Sequence, residues 1–185
     1  MKRNFTKVIA STVLAIIVSL SSVKAASYNE YKNIRDIKVS GNADVYLVQG
    51  LVESVKISDQ VSDAVVAFKD GKLNIENYSK NKATIFIYVT QLKNFEAEGA
   101  INIYSVNKIN SLDLNFNLKG TSTAKVDVNT LNLDSKLSDA SNLLLTGFSE
   151  NFNTKINDAS KVNIAGLKVD TNSFELGKKY LSMIP

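Results

Sequence analysis

The 185-residue chain carries 22 Lys and Arg against 18 Asp and Glu, a formal net charge of +4, with no histidine, no cysteine and one proline. Those absences exclude a cysteine nucleophile, a histidine base, the usual zinc ligand sets and any disulfide. The positive charge is local: Lys2, Arg3, Lys7 and Lys24 carry all of it, so residues 26–185 are neutral and offer no electrostatic case for nucleic acid.

In chain order, the basic start is followed by an apolar stretch, Val8 to Leu20, broken only by Ser11, Thr12 and Ser19, and then by Val23-Lys24-Ala25. That order predicts a secretory signal peptide over residues 1–25, cut after Ala25 or, as the other candidate, after Ala26. The apolar run is short of the roughly 20 residues that span a bilayer, so no retained transmembrane segment is expected. Without a cysteine near the cut, no lipid anchor is expected. The protein is therefore expected to be exported: periplasmic, on the cell surface or secreted. Residues 26–185 are long enough to bury a core without covalent staples and are expected to form one domain.

Strands follow almost without interruption. Ile37 and Val39, Val45 and Leu47, Val55 and Ile57, Leu73 and Ile75, then Ile85, Ile87 and Val89 alternate with polar or aromatic residues in the two-residue period of a half-buried strand. Asp70-Gly71 between two such runs predicts a two-residue hairpin turn, because both residues accept positive φ. Helix is suggested only over Asp59–Phe68 and in the tail near Lys178.

The C-terminal half repeats. Asn132 to Ser141 aligns without a gap to Asn151 to Ser160, and Asp113 to Ser122 fits the same frame one period earlier. Three apolar columns result: Leu114/Leu133/Phe152, Leu118/Leu137/Ile156 and Val126/Leu145/Ile164. Fainter copies of the turn stand at Gly99 and Gly41, and the stretch between those two is close to three periods. A fixed short period with two strands in each predicts an all-β, right-handed parallel β-solenoid of about 19–21 residues per coil. Its expected divisions are a less regular part with a hairpin over 26–95, regular coils over 96–176 and a tail over 177–185. A β-sandwich is the alternative.

The segment from Ile37 to Leu47, with the recurrent Gly or Asp-Ala turns before strands, resembles the auto-transporter adhesin head GIN domain family over most of residues 30–176. The resemblance implies an exported bacterial domain of unknown function, with adhesion suggested by the family name.

Few residues invite chemistry. Asp139 and Asp158 should stack one coil apart, as a glycosidase pair or a hard-cation site would require, but Asp at a turn ordinarily bonds its own backbone. Lys136 and Lys155 should stack on an outer face, where they could grip an acidic polysaccharide or simply face solvent. Tyr28, Tyr31, Tyr46, Tyr78, Tyr88 and Tyr104 could stack sugars or merely favour strands. Asn102, Asn115, Asn117, Asn132, Asn151, Asn153 and Asn163 suggest amide ladders between coils. No catalytic, cofactor-binding or metal-binding residue is assigned, and the ligand-binding residues are left open. The function expected is a non-enzymatic surface-interaction module binding a protein or glycan of the envelope or extracellular surface. The alternative is a polysaccharide-active β-helix enzyme, a lyase or glycoside hydrolase.

Overall fold

A computed structural model describes residues 27–58 and 63–176; the expected signal peptide, residues 59–62 and the tail over 177–185 lie outside the described residues. Eleven strands and no helix occur among the described residues: β1 Ser27–Glu30, β2 Asp36–Gln49, β3 Ser54–Ile57, β4 Val65–Lys69, β5 Lys72–Asn77, β6 Ala83–Val89, β7 Asn94–Ser105, β8 Ile109–Gly120, β9 Thr123–Leu137, β10 Asn142–Ile156 and β11 Lys161–Leu176. They form one mixed sheet in the order β1-β3-β6-β2-β7-β8-β9-β10-β11, with β5 also on β2 and β4 on β5.

The C-terminal half is parallel and follows the repeat. β9 pairs with β10 from Thr123↔Asn142 to Leu137↔Ile156, and the offset between partners is the same at every pair. Four residues connect these two strands, a reach of roughly 15–18 Å, whereas a straight strand as long as β9 would span about 50 Å. The end of β9 must therefore come back beside its own start, so each long strand is bent around the core. The same frame pairs Leu114 with Leu133 and Leu118 with Leu137 on β8 and β9. Leu114, Leu133, Phe152, Leu118 and Leu137 are fully buried, as the first two columns require, while Ile156 at the end of the second is half-buried. In the third, Val126 faces Leu145, but a bulge after Leu144 shifts β11, so Ile164 packs against the core out of strict register.

The N-terminal half departs from that scheme. β1–β3, β3–β6 and β4–β5 are antiparallel, so the sheet is mixed rather than a uniform parallel stack. The hairpin expected at Asp70-Gly71 joins β4 to β5, with φ of +50° and +81° at the two turn residues. Residues 65–68, part of the suggested helix over Asp59–Phe68, lie in β4 instead; Val65, Val66 and Phe68 favour an extended chain, and pairing with β5 satisfies the backbone. Gly41 lies directly beside Gly99, in neighbouring strands, and not three coils away. The chain between them folds as an excursion: β5 and β6 run along the other side of β2, while β3 and β4 add antiparallel pairs and β1 joins β3 from before it.

Candidate interaction surfaces

The turn column decides the fate of the two aspartates. Gly41, Gly99, Gly120, Asp139 and Asp158 follow one another at the same corner, all at positive φ. The Asp139 carboxylate accepts the Gly120 N–H at 2.7 Å, and the Asp158 carboxylate accepts the Asp139 N–H at 3.3 Å. Each side chain therefore ties down the turn 19 residues before it. A carboxylate spent on a backbone amide, and exposed, is poorly placed for proton transfer, and no group of three acidic side chains that could hold a metal exists among the described residues.

One outer face crosses the parallel strands through residues 36/38, 94/96, 115/117, 134/136, 153/155 and 173/175. Amides form rungs along it: Asn94 donates to Asp36, Asn115 to Asn94 at 2.9 Å and Asn153 to Asp134 at 3.1 Å. Elsewhere Asn102 donates to Asp44, Asn132 to Asp113 and Asn151 to Asn132. Asn163 instead accepts locally from the Ala165 N–H, and Asn117 lies between Glu96 and Lys136 in register. Lys136 is exposed and in register with Lys155, which pairs with Glu175 at 2.5 Å. The expected ladders are thus present for most of the named asparagines, and their polar atoms serve neighbouring strands.

Glu96 is the hub of that face, with Lys119 at 3.2 Å and Lys38 at 3.3 Å. Partial burial pushes its pKa up, but the hydrogen bond and charge of Lys119, and then those of Lys38, outweigh burial and hold it below 4.5. The hydrogen bond and charge of Glu96 raise Lys38 above 10.5. The Glu96 contribution to stability is therefore fully present above pH 4.5 and is lost as pH falls through its lowered value. That of Lys38 is present below pH 10.5 and fades as pH rises through its raised value. Glu96→Gln should lower stability by no more than about 1 kcal/mol at neutral pH, because all three side chains are partly exposed. In melts, the gap between variant and parent should close below pH 4.5 and shrink in high salt. A gap that stays constant through strong acid would contradict this.

The tyrosines divide. Tyr46 stacks on Phe86 at 4.9 Å and on Tyr104 at 5.5 Å, and Lys125 lies 6.0 Å over the Tyr104 ring. Both faces of Tyr46 are covered by its neighbours, so this ladder offers a sugar edges rather than an open ring face. Tyr31 packs on Phe68, Tyr88 is half-buried on the same strand as Phe86, and Tyr78 is exposed. Tyr28 lies in β1, where its backbone is in register with Lys56 of β3.

An open groove of about 640 Å³ is lined by Arg35 and Lys93 together with Asn110, Leu112, Asp113, Asn129 and Leu131. Leu112 is 75% exposed and Leu131 41%. Arg35 and Lys93 have no ion-pair partner among the described residues. Asn129 donates to Asn110, which anchors on Gln49. Nothing in the sequence reading singled these residues out. Leu112 and Leu131 do obey the spacing of the repeat, but the Arg35–Lys93 neighbourhood depends on the β2–β7 pairing, which the repeat does not predict.

Comparison with known proteins places the fold. A family described as “Putative auto-transporter adhesin, head GIN domain” matches residues 33–176. No curated protein matches in sequence. Among solved structures, a “putative adhesin” from Bacteroides fragilis is similar at 16% identity and a TM-score of 0.71, over 83% of this chain and 77% of that one. One of the same description from Parabacteroides merdae reaches 0.67 at 14% identity, over 82% and 77%. A “Putative lipid binding protein” from Parabacteroides distasonis reaches 0.58 at 14% identity, over 82% and 78%.

Proposed function

Since the chain belongs to the “Putative auto-transporter adhesin, head GIN domain” family, we propose that it is an exported, non-enzymatic module that acts by binding through its surface. Its partner is a protein or glycan of the envelope or extracellular surface. The observation that carries this reading is the groove of Arg35, Lys93, Leu112 and Leu131, which combines cations that have no ion-pair partner among the described residues with exposed apolar side chains. Such a surface suits a ligand with an acidic group beside an apolar one. The body that presents it is a right-handed parallel β-solenoid, supported by the constant pairing offset of β8 to β10 and the short connections of β8 to β11. The polysaccharide-active alternative has lost its best residues, because Asp139 and Asp158 serve the turns.

The test is a binding panel of glycans, matrix proteins, lipid vesicles and envelope extract, run with the parent and an Arg35→Glu/Lys93→Glu variant. Reversal of both charges should weaken binding about tenfold or more without shifting the melt, because both side chains are exposed. Equal binding by the two proteins would remove the groove from the proposal. Degradation of a polysaccharide that Asp139→Asn or Asp158→Asn abolishes would replace the proposal with the enzyme.

A further inference from the structure

The two ends of the sheet differ. At the N-terminal end the antiparallel strands β1, β3 and β4 close off the parallel ladder with short edges. At the other end β11 pairs with β10 alone among the described residues, leaving one side of a 16-residue strand open. A sheet edge of that length presents unpaired N–H and C=O groups, and stacked repeats ordinarily cover the last one with a polar cap.

β11 is no such cap. Its inward positions are 162, 169, 172 and 174, which pair with buried residues of β10, 176, which pairs with the half-buried Ile156, and 164 and 167, whose own side chains pack on the core. All but Asn172 are apolar: Val162, Ile164, Leu167, Val169, Phe174 and Leu176. Phe174 is 48% exposed and Leu176 41%, while Val162, Ile164 and Val169 are only partly buried. The cross-section of the core therefore opens at this end.

The spacing of these positions is symmetric about Lys168. One step either side stand 167 and 169, four steps 164 and 172, six steps 162 and 174, and eight steps 176 and the buried Ser160. A bent strand with a palindromic outline can pair in antiparallel fashion with a second copy of itself, corner against corner. We propose that β11 is the face through which two copies of this chain associate end to end, about a two-fold axis at residue 168. That register sets Val162 opposite Phe174 and Leu167 opposite Val169, each pair occurring twice. It also sets Lys161 opposite Glu175, whose carboxylate already holds Lys155 of its own chain. The one like-charge meeting, Lys168 with its copy, is eased because Lys168 lies over the Phe148 ring of β10. An edge as long as β11 offers roughly 500 Å² before the core section is added, close to the approximately 800 Å² per partner of stable associations. The inference is independent of the groove and of the adhesion reading.

The absence of cysteine makes the test direct. In the proposed pair, residues at the two-fold have Cα atoms about 4.5–5.5 Å apart, within disulfide range. The purified protein should sediment as a dimer, and Lys168→Cys should form a covalent dimer under copper–phenanthroline at least about tenfold faster than Lys161→Cys, whose copies lie far from each other. Lys161→Glu and Glu175→Lys should each weaken the dimer, and the two together should restore it. A parent that stays monomeric at about 100 μM, or equal cross-linking by the two cysteine variants, would overturn the proposal. So would a dimer that appears only once residues 177–185 are removed, because the tail would then be the natural occupant of the edge.

Discussion

Gly41→Ala should destabilise the protein by about 2–5 kcal/mol, a large effect for a single methyl group. Gly41 has φ +100°, and a Cβ built there would lie 1.9 Å from the Asn77 carbonyl oxygen and 2.5 Å from its carbon. Asn77 ends β5 in register with Gly41, so the clash is with paired backbone. Retreat is blocked because the buried Asn77 amide donates to the Asn42 carbonyl at 2.7 Å and to the Asn81 carbonyl at 2.9 Å. On the opposite side Gly99 is also tight, its own added Cβ falling 2.5 Å from the Gly41 oxygen. The left-handed backbone costs an L-residue about 1–2 kcal/mol and the overpacking about 1–3 more. Gly50→Ala is the control, since a Cβ there meets nothing within 4 Å and its change should stay within about 0.5 kcal/mol. Urea unfolding measures both. A Gly41→Ala protein within about 1 kcal/mol of the parent would mean that β2 and β5 are not neighbours at this corner.

Leu137→Asp should cost about 4 kcal/mol or more, enough to unfold a marginal domain, while Lys136→Asp should change stability by no more than about 0.5 kcal/mol. Leu137 is fully buried between Leu118 and Ile156 in the register of β8, β9 and β10. A carboxylate there would lose its hydration without gaining a partner. One residue earlier the side chain faces solvent beside Lys155, which an acid would if anything welcome. The two positions test register directly, because a shift of one residue in a strand exchanges inside for outside. Thermal melts of equal depression would show the repeat frame to be accidental.

These two experiments probe parts of the molecule that were unequally legible beforehand. The frame around Leu137 could be read from the chain itself. Asn132 to Ser141 and Asn151 to Ser160 match without a gap, and within that stretch the structure pairs Asn132–Leu137 with Asn151–Ile156 in the same register. The turn at Asp70-Gly71 was legible for the same local reason, since few residue types accept two successive positive φ angles. The Gly41 corner was visible as a turn but was misplaced along the axis. Its spacing from Gly99 looked like three coils, whereas the strands touch.

The all-β character, the alternation that separates core from surface, and the repeat register of β8 to β10 are all encoded locally in the chain. All three arise from local pattern repeated at short range, which each coil must obey to bury its own residues. Tertiary structure alone decided that β2 lies between β5/β6 and β7, that Arg35 meets Lys93 beside Leu112 and Leu131, and that Asp139 and Asp158 spend their carboxylates on the preceding turn. The first two depend on which distant strands pair, and the third on how adjacent turns of the repeat stack. Pairing across the long excursion from Gly41 to Gly99 is governed by how the whole chain closes its core and covers its edges, and no short stretch of residues encodes that choice.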